Sequence, residues 1–313
     1  MPLKGNFRLD RALSNLSVRY SNAEYIADKA VPDMMVDKES GQYWIYDNNY
    51  RNEPTIRANG SPSKQIEFEA STSTYHVNLH SLKAIITARD KNNTDDVFQL
   101  ERDNVEDLTD KIQIELEREV HNLLFTTTSF ANNESLDTNS SFKYNTTTSN
   151  PVQKILSVTS YIKRYAGAIA NVMITDQDGR DSLKENLNII DRIKYTQRGI
   201  LTDQLMASMF DLDKIYVGSA MYNTLDEGQT MSLTNIWGNH ALIAYMDTTP
   251  RLKTKSAAGI LRLRGGGLPW QVKRWKDQSL DPKDADVIEV NTWFKPKVFA
   301  STSGYLLKSV TSS

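Results

Sequence analysis

Val105-Glu106-Asp107-Leu108-Thr109-Asp110-Lys111-Ile112-Gln113-Ile114-Glu115-Leu116-Glu117-Arg118-Glu119-Val120-His121-Asn122-Leu123 is the stretch on which the reading of this chain turns. Val105, Leu108, Ile112, Leu116, Val120 and Leu123 recur at steps of three and four, which is one apolar stripe along a helix. The other face carries Asp110, Lys111, Glu115, Glu117 and Arg118 and reads as solvated. Upstream, Thr94-Asp95-Asp96 offers a capping hydroxyl followed by acids at the positive end of the helix dipole. The pattern predicts a helix from Thr94 to Phe125, with a break allowed at Asp103-Asn104. If continuous it would span roughly 48 Å.

On its N-terminal side aromatics cluster at Tyr43, Trp44, Tyr46 and Tyr50. Arg51 to Lys64 is polar and punctuated by Pro54, Gly60 and Pro62, which marks turn and loop. Gln65 to Ala70 and Tyr75 to Leu79 then alternate apolar with polar residues, the signature of half-buried strand. Fully extended, Gln65 to Leu79 would reach roughly 50 Å. Residues 37 to 80 therefore read as a long two-stranded projection. A lone hairpin is barely stable in water, so this one is expected to lie on a neighbouring subunit. Tyr43, Trp44, Tyr46 and Arg51 are its candidate intersubunit anchors, because buried aromatic and Arg side chains dominate large interfaces. Before it, Leu13, Leu16, Val18, Tyr20, Tyr25 and Ile26 suit a short helical turn or an arm.

On the C-terminal side, Thr126 to Asn150 is mostly Ser, Thr and Asn and reads as surface loop. A helix over Val152 to Ala170 and a buried strand at Asn171 to Thr175 follow. Helices near Asp181 to Ile193 and Thr202 to Phe210 come next, then strands near Lys214 to Gly218, Ala241 to Tyr245 and Gly259 to Arg264. Gly265-Gly266-Gly267 interrupts the chain. Val287 to Trp293 alternates as a strand, and Val298 to Leu307 is expected to pair with it. The class is α+β.

Lys plus Arg total 37 and Asp plus Glu total 39, a formal net charge of −2 over 313 residues. A coat for nucleic acid would carry a basic excess, so tight phosphate binding is not expected, only weak nonspecific contact with DNA. The absence of cysteine excludes disulfides, thiol nucleophiles and zinc-thiolate sites. No stretch approaches the roughly 20 apolar residues of a membrane span, and Met1 to Asn6 lacks an apolar signal core. These features suggest a protein folded in a reducing cytoplasm.

The sharpest chemical candidate is Asp176-Gln177-Asp178-Gly179-Arg180-Asp181 with Glu185. Counting Ile174 as the first position, it matches positions 3, 5, 6 and 12 of a calcium loop. Ile174 offers no side-chain ligand, and acids between a strand and a helix cap the helix start, which is the expectation here. His76 and His80 lie four apart on what reads as one strand, too far apart to chelate simply; His121 has no ligand-type partner at the next turn, and His240 stands alone. Gly265 to Gly267 is followed by neither Lys-Ser nor Lys-Thr, so it is no phosphate loop, and Gly218-Ser219-Ala220 is no nucleophile elbow. No catalytic residue, cofactor site or metal site is nominated.

Four stretches resemble the major capsid proteins of tailed bacteriophages. Tyr25-Ile26-Ala27-Asp28-Lys29-Ala30-Val31-Pro32 with Tyr43-Trp44-Ile45-Tyr46-Asp47 is similar to the region leading into that family's extended loop. Arg118 to Phe125 is similar to the end of its spine helix. Ile190 to Ile200, Val217 to Thr224 and Ile236 to Leu242, in that order, resemble its axial domain, and Val287 to Val290 with Gly304 to Leu307 its closing strands. The resemblance implies the α+β Hong Kong 97-type fold. Its parts would be an N-terminal arm (1–36), an extended β-hairpin loop (37–84), a peripheral domain with the spine helix (85–165 and 271–313) and an axial domain (166–270). It implies a structural subunit and no enzyme, forming hexamers and pentamers of an icosahedral head around double-stranded DNA. The head would be assembled in the host bacterial cytoplasm, with a portal and, in some heads, decoration proteins. Because the similarity begins near residue 13, a separate scaffolding protein is expected. An encapsulin-like cargo shell is the alternative within the fold; a calcium-dependent enzyme is the alternative from another class.

Overall fold

In the computed structural model the residues described are 25–46, 52–66, 70–87, 89, 100–137, 142–145, 149–194, 201–225, 228–247, 255–264, 270–277 and 285–311. The expected helix start at Thr94, Gly265 to Gly267, the chain before Tyr25 and residues 195–200 lie outside them.

In chain order the elements are α1 (Ala27–Ala30), β1 (Asp33–Val36), β2 (Ser40–Tyr46), β3 (Ala70–His76), β4 (Asn78–Ile86) and α2 (Leu100–Leu124). They continue with β5 (Asn132–Ser135), α3 (Pro151–Ala166), β6 (Val172–Asp176), α4 (Gln177–Glu185), α5 (Leu187–Ile193), α6 (Asp203–Met209), β7 (Lys214–Gly218) and β8 (Met221–Asn223). The last are β9 (Leu233–Asn235), β10 (His240–Ala244), β11 (Ala258–Leu263), β12 (Trp270–Asp277), β13 (Ala285–Val298) and β14 (Gly304–Lys308). Among the described residues no helix is long and apolar enough to cross a membrane.

The long helix is present as α2, 25 residues over Leu100–Leu124. Leu108, Ile112, Leu116, Val120 and Leu124 are its buried stripe. Leu123, expected on that stripe, is half-buried, and Leu124 takes its place. Glu117 corrects the expected solvated face, because it is fully buried. The helix lies on the first sheet, ordered β1-β11-β13-β12, with β4 on the remaining edge of β13. β13 is the spine of this sheet. Residues 286–292 pair with β12 on one side and β4 on the other, and 294–298 pair with β11.

The second sheet runs β5-β14-β10-β6-β7. Every residue of β6 is buried, as are Ala241 to Ala244 of β10. Burial on both faces requires apolar cover on both, and the two faces supply two cores. Ile174, Leu242 and Leu306 point toward the core under α2. Their neighbours Met173, Ile243 and Leu307 point toward the core shared with α3, Leu183, Phe210 and Ile215. One sheet thus joins the two halves of the molecule.

The helix ends follow local chemistry. Asn150 caps α3 through Gln153 N, Pro151 sits at its first turn, and Gly167 closes it at φ 62°. The single helix expected over Asp181 to Ile193 is two, α4 and α5, because Asn186 ends one and caps the next.

Three expectations fail on long-range pairing. The closing strand β14 does not pair with β13; it pairs with β10 and, in parallel, with β5. The extended run from Gln65 to Leu79 is broken at Val77, so β3 pairs with β2 while β4 joins β13. The loop expected over 126–150 contains β5 and anchors itself by burying Phe130, Leu136 and Tyr144. β11 lies in the first sheet and β14 in the second.

Candidate assembly surface

β2 and β3 pair over seven residues, from Ser40↔His76 to Tyr46↔Ala70, and the backbone bond from Val77 N to Glu39 O (2.7 Å) closes the base of the hairpin. Beyond the strands, residues 52–66 brace one another. Arg57 Nη1 donates to Ser63 Oγ (3.0 Å), Ser61 Oγ donates to Ala58 O (2.9 Å), and Lys64 pairs with Glu53. Gly60, at φ 84°, makes the turn. Three apolar side chains on this projection have little of their own chain to cover them: Ile56 is 98% exposed, Trp44 64% and Ile66 51%.

Strand pleating sends Tyr43 and Trp44 to opposite faces. Tyr43 packs against its own subunit, its ring edge-on to Phe299 with centroids 5.5 Å apart, under the ammonium of Lys297 at 4.9 Å. Trp44 faces solvent. The Tyr46 side chain and Arg51 lie outside the described residues. The structure therefore brings Tyr43 to the hairpin's root and leaves Trp44 on its open face.

A second feature had no warning in the sequence. Glu117 of α2 accepts from Ile26 N (2.5 Å), Ala27 N (2.7 Å) and Trp237 Nε1 (2.8 Å), tying α1, α2 and the segment before β10 together. Burial pushes its carboxyl up to about 6, against the pull of the three donors. Trp237 lies on the backbone of Gly218 and meets His121 and Phe125 edge-on. Arg262, also buried, bonds Asp28 of α1 and Asp33 of β1. Around His121 and His240, burial lowers both pKa values.

Asp176 caps α4, accepting from Gly179 N at 3.1 Å. His76 and His80 stand on different strands, which corrects their assignment to one, and His80 stacks on Phe294 at 3.8 Å. Among the described residues no three His, Asp or Glu groups converge as metal ligands.

A long helix laid over a sheet, a second sheet shared between two cores and a two-stranded projection make up the Hong Kong 97-type capsid fold, and this chain has it. The crystal structure of a phage-related protein from Bordetella bronchiseptica superposes with a TM-score of 0.70 at 17% identity, over 93% of this chain and 94% of that one. The capsid structure of cyanophage P-SCSP1u gives 0.64 at 9% identity, over 94% and 90%. An encapsulin complex from Synechococcus elongatus gives 0.51 at 8% identity, over 96% and 95%. In sequence the chain is similar to phage major capsid proteins. It is 26% identical to the major capsid protein of Burkholderia phage BcepMu over 310 residues, 96% of each chain. It is 25% identical to that of Pseudomonas phage JBD67 over 259 residues, 81% of this chain and 82% of the other. No family model matches the chain.

Proposed function

We propose that this chain is a phage major capsid protein, a structural subunit and not an enzyme, whose copies form the hexamers and pentamers of an icosahedral head around double-stranded DNA. The observation that carries the reading is the braced projection that leaves Ile56 and Trp44 in water. Self-association is what such a surface serves in a chain whose relatives are major capsid proteins over most of their length. Tyr43, Trp44, Tyr46 and Arg51 remain its proposed contact set, with Trp44 as the anchor and Tyr43 as its root. The parts proposed are an arm (1–36), the extended loop (37–84), a peripheral domain (85–165 and 271–313) and an axial domain (166–270). Its partners are further copies, a separate scaffolding protein, a portal, decoration proteins and the packaged DNA; a net charge of −2 favours only weak contact with the last. The virion shell is its location and the host cytoplasm its place of assembly. The encapsulin reading shares the fold, but the sequence relatives favour the phage head. Electron microscopy of the purified protein, alone and with a scaffolding protein, is expected to show closed shells. Monomers in every condition would refute the proposal, and cargo enzymes copurifying inside shells would favour the encapsulin.

A further inference from the structure

We propose that Lys297 is the positioning residue that sets the angle at which the β2–β3 hairpin leaves the first sheet, and so whether neighbouring copies meet in register. The clause about neighbours rests on the shell reading above; the clause about the angle does not.

Lys297 stands near the end of β13, and its ammonium reaches both strands of the hairpin. It donates to the carbonyl oxygen of Thr74 and to Ser73 Oγ (3.3 Å) on β3, and lies over the ring of Tyr43 on β2. A cation sharing a carbonyl, a hydroxyl and an aromatic face is held from three directions, so it restrains direction as well as distance. Phe299, two residues on, supplies the stop. Its ring meets Tyr43 at 80° and is itself seated on Gly259, where a Cβ would come within 2.9 Å of it. Lys297 and Thr74 also form part of the wall of an open cleft of about 390 Å³, with Tyr75, His76, Leu123 and Lys295. Together with the Phe299 ring and the bond from Val77 N to Glu39 O at the hairpin's base, the Lys297 contacts fix its tilt. Tyr46 lies three residues, roughly 10 Å, beyond the Tyr43 contact, so a ten-degree change there displaces it by about 2 Å, enough to spoil close packing against a neighbour.

The test compares Lys297→Met, which keeps the aliphatic stem and removes the cation, with Lys297→Arg, which keeps a cation able to reach the same groups. Hydrogen exchange is measured at the amides of 40–46, 70–76 and 100–124 of the full chain, beside thermal unfolding and electron microscopy of assembly. The expected result is hairpin exchange about tenfold faster in Lys297→Met, with α2 and the melting temperature unchanged, and open or misshapen shells. Lys297→Arg is expected to retain wild-type exchange and closed shells. Unchanged hairpin exchange in Lys297→Met overturns the proposal, as does a loss of protection spread equally over α2, or an Arg variant no better than Met. If the wild-type protein closes no shells, the shell reading fails while the exchange result still decides whether Lys297 holds the hairpin in place.

Discussion

Replacing Glu117 by Gln tests whether the buried carboxylate is what joins α1, α2 and Trp237. All three of its partners are N–H donors, two from the backbone and one from the indole. A carboxylate accepts from all of them. A Gln side chain has one oxygen, so its amide nitrogen must face either the indole N–H or the pair of backbone donors. Leaving one buried donor unmet while losing a charge-assisted bond costs about 3 kcal/mol, reduced by no longer burying a charge. Trp237→Phe removes the indole donor and leaves a void over Gly218, at about 2–3 kcal/mol. In the double variant the amide nitrogen no longer opposes a donor, so the combined loss should be about 1–2 kcal/mol smaller than the sum. Urea unfolding of the four proteins, followed by circular dichroism, supplies the cycle.

The pH dependence is a second reading of the same group. Its folded pKa is about 6 against 4.5 for the free side chain, so the native state takes up a proton more readily than the unfolded chain. The stability it contributes is full below about 4.5, declines as pH rises through 6, and is constant above, a span of roughly 2 kcal/mol. His121 and His240, lowered by burial, act in the opposite sense, losing stability as pH falls below the ordinary histidine value. The difference curve between wild type and Glu117→Gln isolates the carboxylate from them. A flat difference curve from pH 4.5 to 7, or strictly additive losses in the cycle, refutes the account of Glu117.

Trp44→Ala is expected to abolish shell closure in electron micrographs while changing stability by less than about 1 kcal/mol, because the indole is 64% exposed in the single chain; normal shells, or unfolding before assembly, would count against it. Asp176→Ala with Asp178→Ala should cost about 0.5–2 kcal/mol through loss of the α4 cap, with a melting temperature indifferent to calcium. A calcium-dependent rise that vanishes in the double variant would point to a metal loop instead. Gly218→Ala would set a Cβ 2.2 Å from the Trp237 ring, so it is expected to destabilise by about 1–3 kcal/mol and to weaken Trp237's bond to Glu117, read as a shifted indole N–H resonance.

Elements whose cause lies within a few residues were legible from the sequence alone. The stripe of Leu108, Ile112, Leu116 and Val120 repeats at the helical period, and Asp176 sits three residues before the N–H it caps, so both could be read without a fold. The alternation of Val287 to Trp293 named a strand for the same reason. Alternation says which residues share a face but not which strand lies alongside, and so β14 was assigned to β13 when its neighbours are β10 and β5. Val77 belongs to the same alternating run as its neighbours, and only pairing with two different strands on either side of it made a break there. Glu117 is the plainest case. Among eight acids on one helix nothing local distinguishes it, and its donors lie 90, 91 and 120 residues away. Tertiary structure decided its burial, because only the folded chain brings three N–H groups to one point and makes a buried carboxylate cheaper than three buried donors without an acceptor.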